Sequence, residues 1–109
     1  MPLYKDEKVS ALIKDLAADF IQKESSRISL ITITRVMLSN RGKNALILFT
    51  VFPEEKESIA MEFAKRRAGD FREYVKSHAR MRIIPFFHFD VDRGEKNRQR
   101  LDILSDKSQ

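Results

Sequence analysis

Cysteine is absent from this 109-residue chain, which excludes a disulfide framework, a thiolate metal site and a cysteine nucleophile. Glycine and proline occur only three times each, so the chain is neither linker-rich nor of low complexity. Long hydrophobic runs are missing as well. The longest, Ala45 to Phe49, is far too short to span a bilayer, and Met1-Pro2-Leu3-Tyr4-Lys5 lacks the apolar core of a signal peptide. A soluble, cytoplasmic protein is the expectation. The length leaves room for a single core and no second folded unit. We therefore expect one domain over residues 1 to 104, with 105 to 109 as a disordered tail.

What the chain does have is charge. Lys and Arg number 21 against 16 Asp and Glu, a formal net charge of +5. The surplus is unevenly placed. Residues 1 to 34 are balanced, and residues 44 to 64 are acidic through Glu54, Glu55, Glu57 and Glu62. Residues 65 to 82 hold Lys65, Arg66, Arg67, Arg72, Lys76, Arg80 and Arg82 against only Asp70 and Glu73. A contiguous basic stretch suits a polyanion, because each neutralised phosphate releases condensed counterions and the gains add along the stripe.

Periodicity locates these charges. Val9, Leu12, Ile13, Leu16, Ala17, Phe20 and Ile21 recur at three- and four-residue steps, which predicts an amphipathic helix from about Lys5 to Lys23. Two β-rich runs follow, Leu30 to Leu38 and Ala45 to Phe52, joined by Ser39-Asn40-Arg41-Gly42-Lys43. The Asn and Gly there suit positive φ in a hairpin loop, with Arg41 and Lys43 at its tip. Leu46 and Leu48 interleave with Ile47, Phe49 and Val51, suggesting a strand partly covered on both faces. Pro53 closes the strand, and Glu54, Glu55 and Glu57 complement the positive end of a following helix dipole.

That helix is interrupted in sequence at Arg67-Ala68-Gly69-Asp70. Glycine costs about 1 kcal/mol inside a helix relative to alanine, so Gly69 predicts a kink or a join between two helices, with Asp70 available as a cap. Beyond it Arg72, Lys76 and Arg80 fall at four-residue steps and would form a basic ridge on one exposed side. Phe87, Phe89 and Val91 alternate with His88, Asp90 and Asp92, which predicts a third strand from about Ile84 to Asp92 with one apolar face. After Gly94 the composition is polar, and only Leu101, Ile103 and Leu104 could dock as a terminal turn. The expected fold is α+β, in the order helix, strand, strand, helix, kink, helix, strand, with a three-stranded sheet covered by helices on one face.

This order is that of type II KH domains, and several stretches match something narrower. They are Thr32-Ile33-Thr34-Arg35-Val36-Met37-Leu38-Ser39, Ala45-Leu46-Ile47-Leu48-Phe49-Thr50-Val51 and Arg67-Ala68-Gly69-Asp70-Phe71-Arg72. Met81-Arg82-Ile83-Ile84-Pro85-Phe86-Phe87-His88-Phe89 and Arg100-Leu101-Asp102-Ile103-Leu104 follow. In spacing and order these resemble the ribosome-binding factor A family. The family replaces the KH glycine-rich loop by a helix-kink-helix with an Ala-x-Gly triplet; here that triplet reads Arg67-Ala68-Gly69.

The resemblance implies binding to the small (30S) ribosomal subunit of bacteria and its 16S rRNA during late maturation and processing, with a link to growth in the cold. It implies no cofactor. Candidate contacts are Arg41 and Lys43 at the hairpin tip, then Lys65, Arg66, Arg67, Ala68 and Gly69 around the kink. Arg72, Lys76, Arg80 and Arg82 continue the basic stretch. A monomer is expected, with ribosomal proteins and assembly GTPases as further partners. A different class of function is a basic adaptor that docks an acidic ribosomal protein or such a GTPase.

Sharper chemistry finds little footing. His88, Asp90 and Asp92 could share one strand face and hold a divalent ion, yet no further ligands converge in sequence and the face reads as solvated. His78 has neither a nucleophile nor a paired carboxylate beside it. With no phosphate-binding glycine loop and no acyl-transfer motif, the chain reads as a non-enzyme. Phe87 and Phe89 read as core, whereas Phe86 falls on the opposite parity and is a candidate platform for stacking a base.

Overall fold

The computed structural model describes residues 3–24 and 30–99. Helix α1 (Leu3–Glu24) is followed by β1 (Leu30–Ser39), a 3-10 turn (Asn40–Gly42) and β2 (Asn44–Phe52). A second 3-10 turn (Glu54–Lys56) leads into α2 (Glu57–His78), then β3 (Phe86–Val91), and residues 93–99 are helical (α3). The terminal turn expected at Leu101 to Leu104 and the tail at 105 to 109 lie outside the described residues.

The sheet has the order β1-β2-β3. The β1–β2 pair is antiparallel, as a hairpin requires, while β2 and β3 run parallel with Asn44 opposite Phe86 and Phe49 opposite Val91. A parallel neighbour needs a crossover, and α2 supplies it. Helix α1 lies over β1 and α2 over β3, both on the same face. Between helices and sheet sit Ile13, Ala17, Phe20 and Ile21 of α1, Ala60, Ala64, Phe71 and Val75 of α2, and Ile33, Ala45, Ile47, Phe49, Phe87, Phe89 and Val91 of the strands. Phe71 is the hub. It is fully buried, with the rings of Phe87, Phe20 and Phe89 centred 4.7, 5.3 and 5.9 Å away. The apolar stripe expected on α1 is the one that packs, except that Leu12 stands at its exposed rim.

Three features depart from expectation. First, α2 is one continuous helix of 22 residues, so Gly69 divides nothing and Asp70 caps nothing. Gly69 is exposed and has no positive φ. Its helical neighbours on both sides bury Ala64 and Phe71 against the same sheet, and that shared burial outweighs the roughly 1 kcal/mol helix penalty of glycine.

Second, β1 carries a bulge at Thr34, where the pairing slips from Ile33 opposite Phe49 to Arg35 opposite Leu48. The inserted residue switches the parity of the strand. Ile31 and Ile33 face the helices before it, Val36 and Leu38 after it, and Arg35 and Met37 turn outward.

Third, β3 ends at Val91, and Asp92 begins a helix instead of extending the strand. Its Oδ1 accepts the Glu95 backbone N–H at 3.0 Å, and its carbonyl accepts that of Lys96 at 3.0 Å. This is an N-cap. Lys96 then donates to Glu57 at 2.8 Å and Glu54 at 3.0 Å, tying α3 to the start of α2. These two carboxylates hold its ammonium above the ordinary lysine range.

Candidate nucleic-acid interface

The hairpin tip is built from three consecutive left-handed residues, Asn40, Arg41 and Gly42, with φ of 51°, 56° and 83°. Asn and Gly tolerate that conformation, whereas at Arg41 it costs about 1–2 kcal/mol. The turn closes with the Lys43 N–H donating to the Asn40 carbonyl at 3.1 Å. Arg41 and Lys43 are both exposed.

Because β2 and β3 are parallel, both strands start at this end of the sheet. The Phe86 N–H donates to the Lys43 carbonyl at 2.9 Å, which sets the hairpin tip beside the segment that enters β3. Adjacent strands lie about 4.8 Å apart. Segment 79–85 carries Arg80 and Arg82, and with the last turn of α2 it forms a shallow depression lined by Lys76, Ala79, Arg80, Met81, Arg82 and Ile84. Arg41, Lys43, Lys76, Arg80 and Arg82 thus collect at one end of the molecule, all exposed. Helix α2 presents its electronegative C-terminus here, so attraction for an anion must come from the side chains. The opposite end carries Glu54, Glu55 and Glu57 after β2. Charge is thereby separated along the strand direction.

The ridge expected along α2 is broken. The helix ends at His78, and Ala79 is extended at φ −145° and ψ 148°, so Arg80 leaves the stripe of Arg72 and Lys76. Arg72 is engaged internally. Its Nε donates to the Pro85 carbonyl at 3.1 Å, a terminal guanidinium nitrogen donates to that of Ile84 at 3.0 Å, and its Cζ lies 4.5 Å from the centre of the Phe86 ring. Lys76 is 3.1 Å from Glu73, an exposed pair worth little.

Arg67 is half-buried, 3.2 Å from Asp70, and its guanidinium sits 6.0 Å from the Phe20 ring centre. It therefore serves the α1–α2 contact. Ala68 packs against the core from α2. Lys65, Arg66 and Gly69 are exposed on the outer face of α2, with Arg66 about 15 Å along the axis from Lys76. The sequence candidates thus divide into a basic end, a separate outer-helix patch, and three packed residues, Arg67, Ala68 and Arg72.

The three residues weighed as ion ligands do not form a site. His88 and Asp90 lie on β3, but both Asp92 oxygens are occupied, Oδ2 by the Thr34 hydroxyl donating at 2.6 Å and Oδ1 by the α3 cap. These bonds, that of Thr34 first, hold the Asp92 carboxyl below the usual carboxylate range. Among the described residues no three His, Asp or Glu side chains are grouped so as to hold a metal ion. His78 is exposed and stacks on Tyr74, ring centres 3.9 Å apart. Among the described residues no helix is long and apolar enough to cross a membrane.

Fold and site together define a small α+β domain, with an element order consistent with the type II KH class and a basic end built from the β1–β2 tip and the α2–β3 segment. The chain belongs to the ribosome-binding factor A family, whose model matches residues 5–105. A ribosome-binding factor A from Thermomicrobium roseum is 29% identical over 97 residues, covering 86% of this chain and 75% of that protein. The crystal structure of ribosome-binding factor A from Thermus thermophilus superposes with a TM-score of 0.71 at 27% identity, covering 80% of this chain and 96% of that one. A Thermus thermophilus ribosome-binding factor A fitted into a cryo-EM map of its 30S complex matches at TM-score 0.66 and 26% identity, over 77% and 91% of the two chains.

Proposed function

We propose that this protein binds the small ribosomal subunit through 16S rRNA at its basic end, and that it assists late maturation and processing of that rRNA in the bacterial cytoplasm, including in the cold. It acts by binding, with no bond made or broken by its side chains. Family membership and the 30S complex of the Thermus relative support the partner. The observation that carries the choice of surface is the convergence of Arg41 and Lys43 with Arg80 and Arg82 at one sheet end. Exposed cations from two chain-distant segments can follow a bent phosphate backbone, and phosphate contacts of this kind set affinity and register.

Co-sedimentation with purified small subunits, repeated with free 16S rRNA, tests the reading. The wild type is expected to pellet with both, and a variant with Arg41, Lys43, Arg80 and Arg82 all changed to Glu is expected to pellet with neither. Equal binding by both proteins would refute it. Binding to subunits that survives removal of the rRNA contact would instead identify a protein-docking adaptor. Accumulation of unprocessed 16S rRNA in cold-grown cells depleted of the protein checks the maturation role.

A further inference from the structure

We propose that Phe86 is a stacking platform for one unpaired nucleobase of single-stranded RNA, flanked by phosphates on the Arg41 and Lys43 side and on the Arg80 and Arg82 side. This rests on reading the basic end as an RNA surface. Phe86 is 61% exposed, whereas Phe87 and Phe89 on the same strand are 6% and 4% exposed. Parity places it outside the core, where the Arg72 side chain reaches its ring from α2, so core packing does not account for an aromatic side chain here.

The ring is held in place before any ligand arrives. Its backbone N–H is fixed to the Lys43 carbonyl at 2.9 Å. Arg72 lies 4.5 Å from its centre and is itself anchored to the Pro85 and Ile84 carbonyls. A pre-ordered ring loses little rotamer freedom on binding, and every base offers a π-face to it. Cations on either side supply the electrostatic track that single-strand binders combine with such a ring. A duplex keeps its bases stacked internally and cannot use it. Phe52 makes the contrast, because it is 74% exposed but sits at the acidic end beside Glu54 and Glu55.

The test uses the full chain, a short fluorescein-labelled single-stranded oligoribonucleotide of mixed sequence, and a duplex of the same length. F86L is expected to weaken single-strand binding by roughly 5- to 100-fold and to leave duplex binding unchanged. F52L should match wild type. The chain has no tryptophan, so F86W introduces a single indole, which should retain binding and lose emission as the base stacks on it. Circular dichroism melts confirm that each variant is folded. Single-strand binding by F86L equal to that of wild type, or F86W emission unchanged at saturation, overturns the proposal. So does failure of wild type to bind the oligonucleotide while it still pellets with subunits. The last result leaves the subunit reading intact, whereas subunit binding by the four-fold Glu variant overturns that reading instead.

Discussion

If the basic end is the RNA surface, removing its two segment cations should change the salt dependence of binding by a calculable amount. Five exposed cations meet there, Arg41, Lys43, Lys76, Arg80 and Arg82. With one phosphate each, log K against log salt for single-stranded RNA should fall with a slope of about −3.5, at ~0.7 per contact. Between 50 and 200 mM KCl that is a loss of about 100-fold. The R80A/R82A double variant keeps three contacts, so its slope should be about −2 and its loss about 20-fold. K65A/R66A alters the outer face of α2, roughly 15 Å from Lys76, and should leave the slope near that of wild type. Fluorescence anisotropy with a labelled single strand, titrated at several KCl concentrations, reads all three slopes. An unchanged slope for R80A/R82A with a reduced one for K65A/R66A would place the contact on the helix face and refute the assignment.

Two further outcomes test the fold that builds this surface. Gly69 lies inside a continuous helix, without positive φ and with nothing within 4 Å of an added Cβ, so G69A should raise stability by about 0.5–1 kcal/mol in urea unfolding. A loss of stability would show that the helix needs a break there. Thr34 is the first cause of the lowered Asp92 carboxyl. A carboxyl depressed in the folded state stabilises above the unfolded value of about 3.9, and that contribution fades as pH falls through the folded value. T34V should therefore be less stable than wild type at pH 7 in urea, with the gap closing as the pH drops well below about 3.9; a gap independent of pH would break the link.

Local structure was legible where burial imposes a period. The α1 stripe and the Phe87, Phe89, Val91 alternation each reflect one face meeting the core, and the Asn40 and Gly42 turn reflects the positive φ those residues tolerate. Two further signals were present but outvoted. The apolar phase moves from Ile31 and Ile33 to Val36 and Leu38, which is the signature of the Thr34 bulge, though the β-rich run Leu30 to Leu38 reads as one strand. Asp92-Arg93-Gly94-Glu95 is a helix-start pattern, masked by reading Asp92 as a strand residue. At Gly69 propensity pointed to a break, and burial of the same helix face on both sides overrode it.

Linear order therefore established the first helix, the hairpin, the third strand and a basic surplus in residues 65 to 82, because each depends on neighbours a few positions apart. Which cations stay exposed at the basic end depended on contacts across the chain. Parallel pairing of β2 with β3 brought Lys43 to Phe86, and with it Arg41 to the segment of Arg80 and Arg82. The end of α2 at His78 took Arg80 off the helix stripe, and the carbonyls of Ile84 and Pro85 drew Arg72 inward. Strand pairing and side-chain capture act between residues far apart in sequence and leave no local period, so only the folded chain could sort its basic residues into packing and surface.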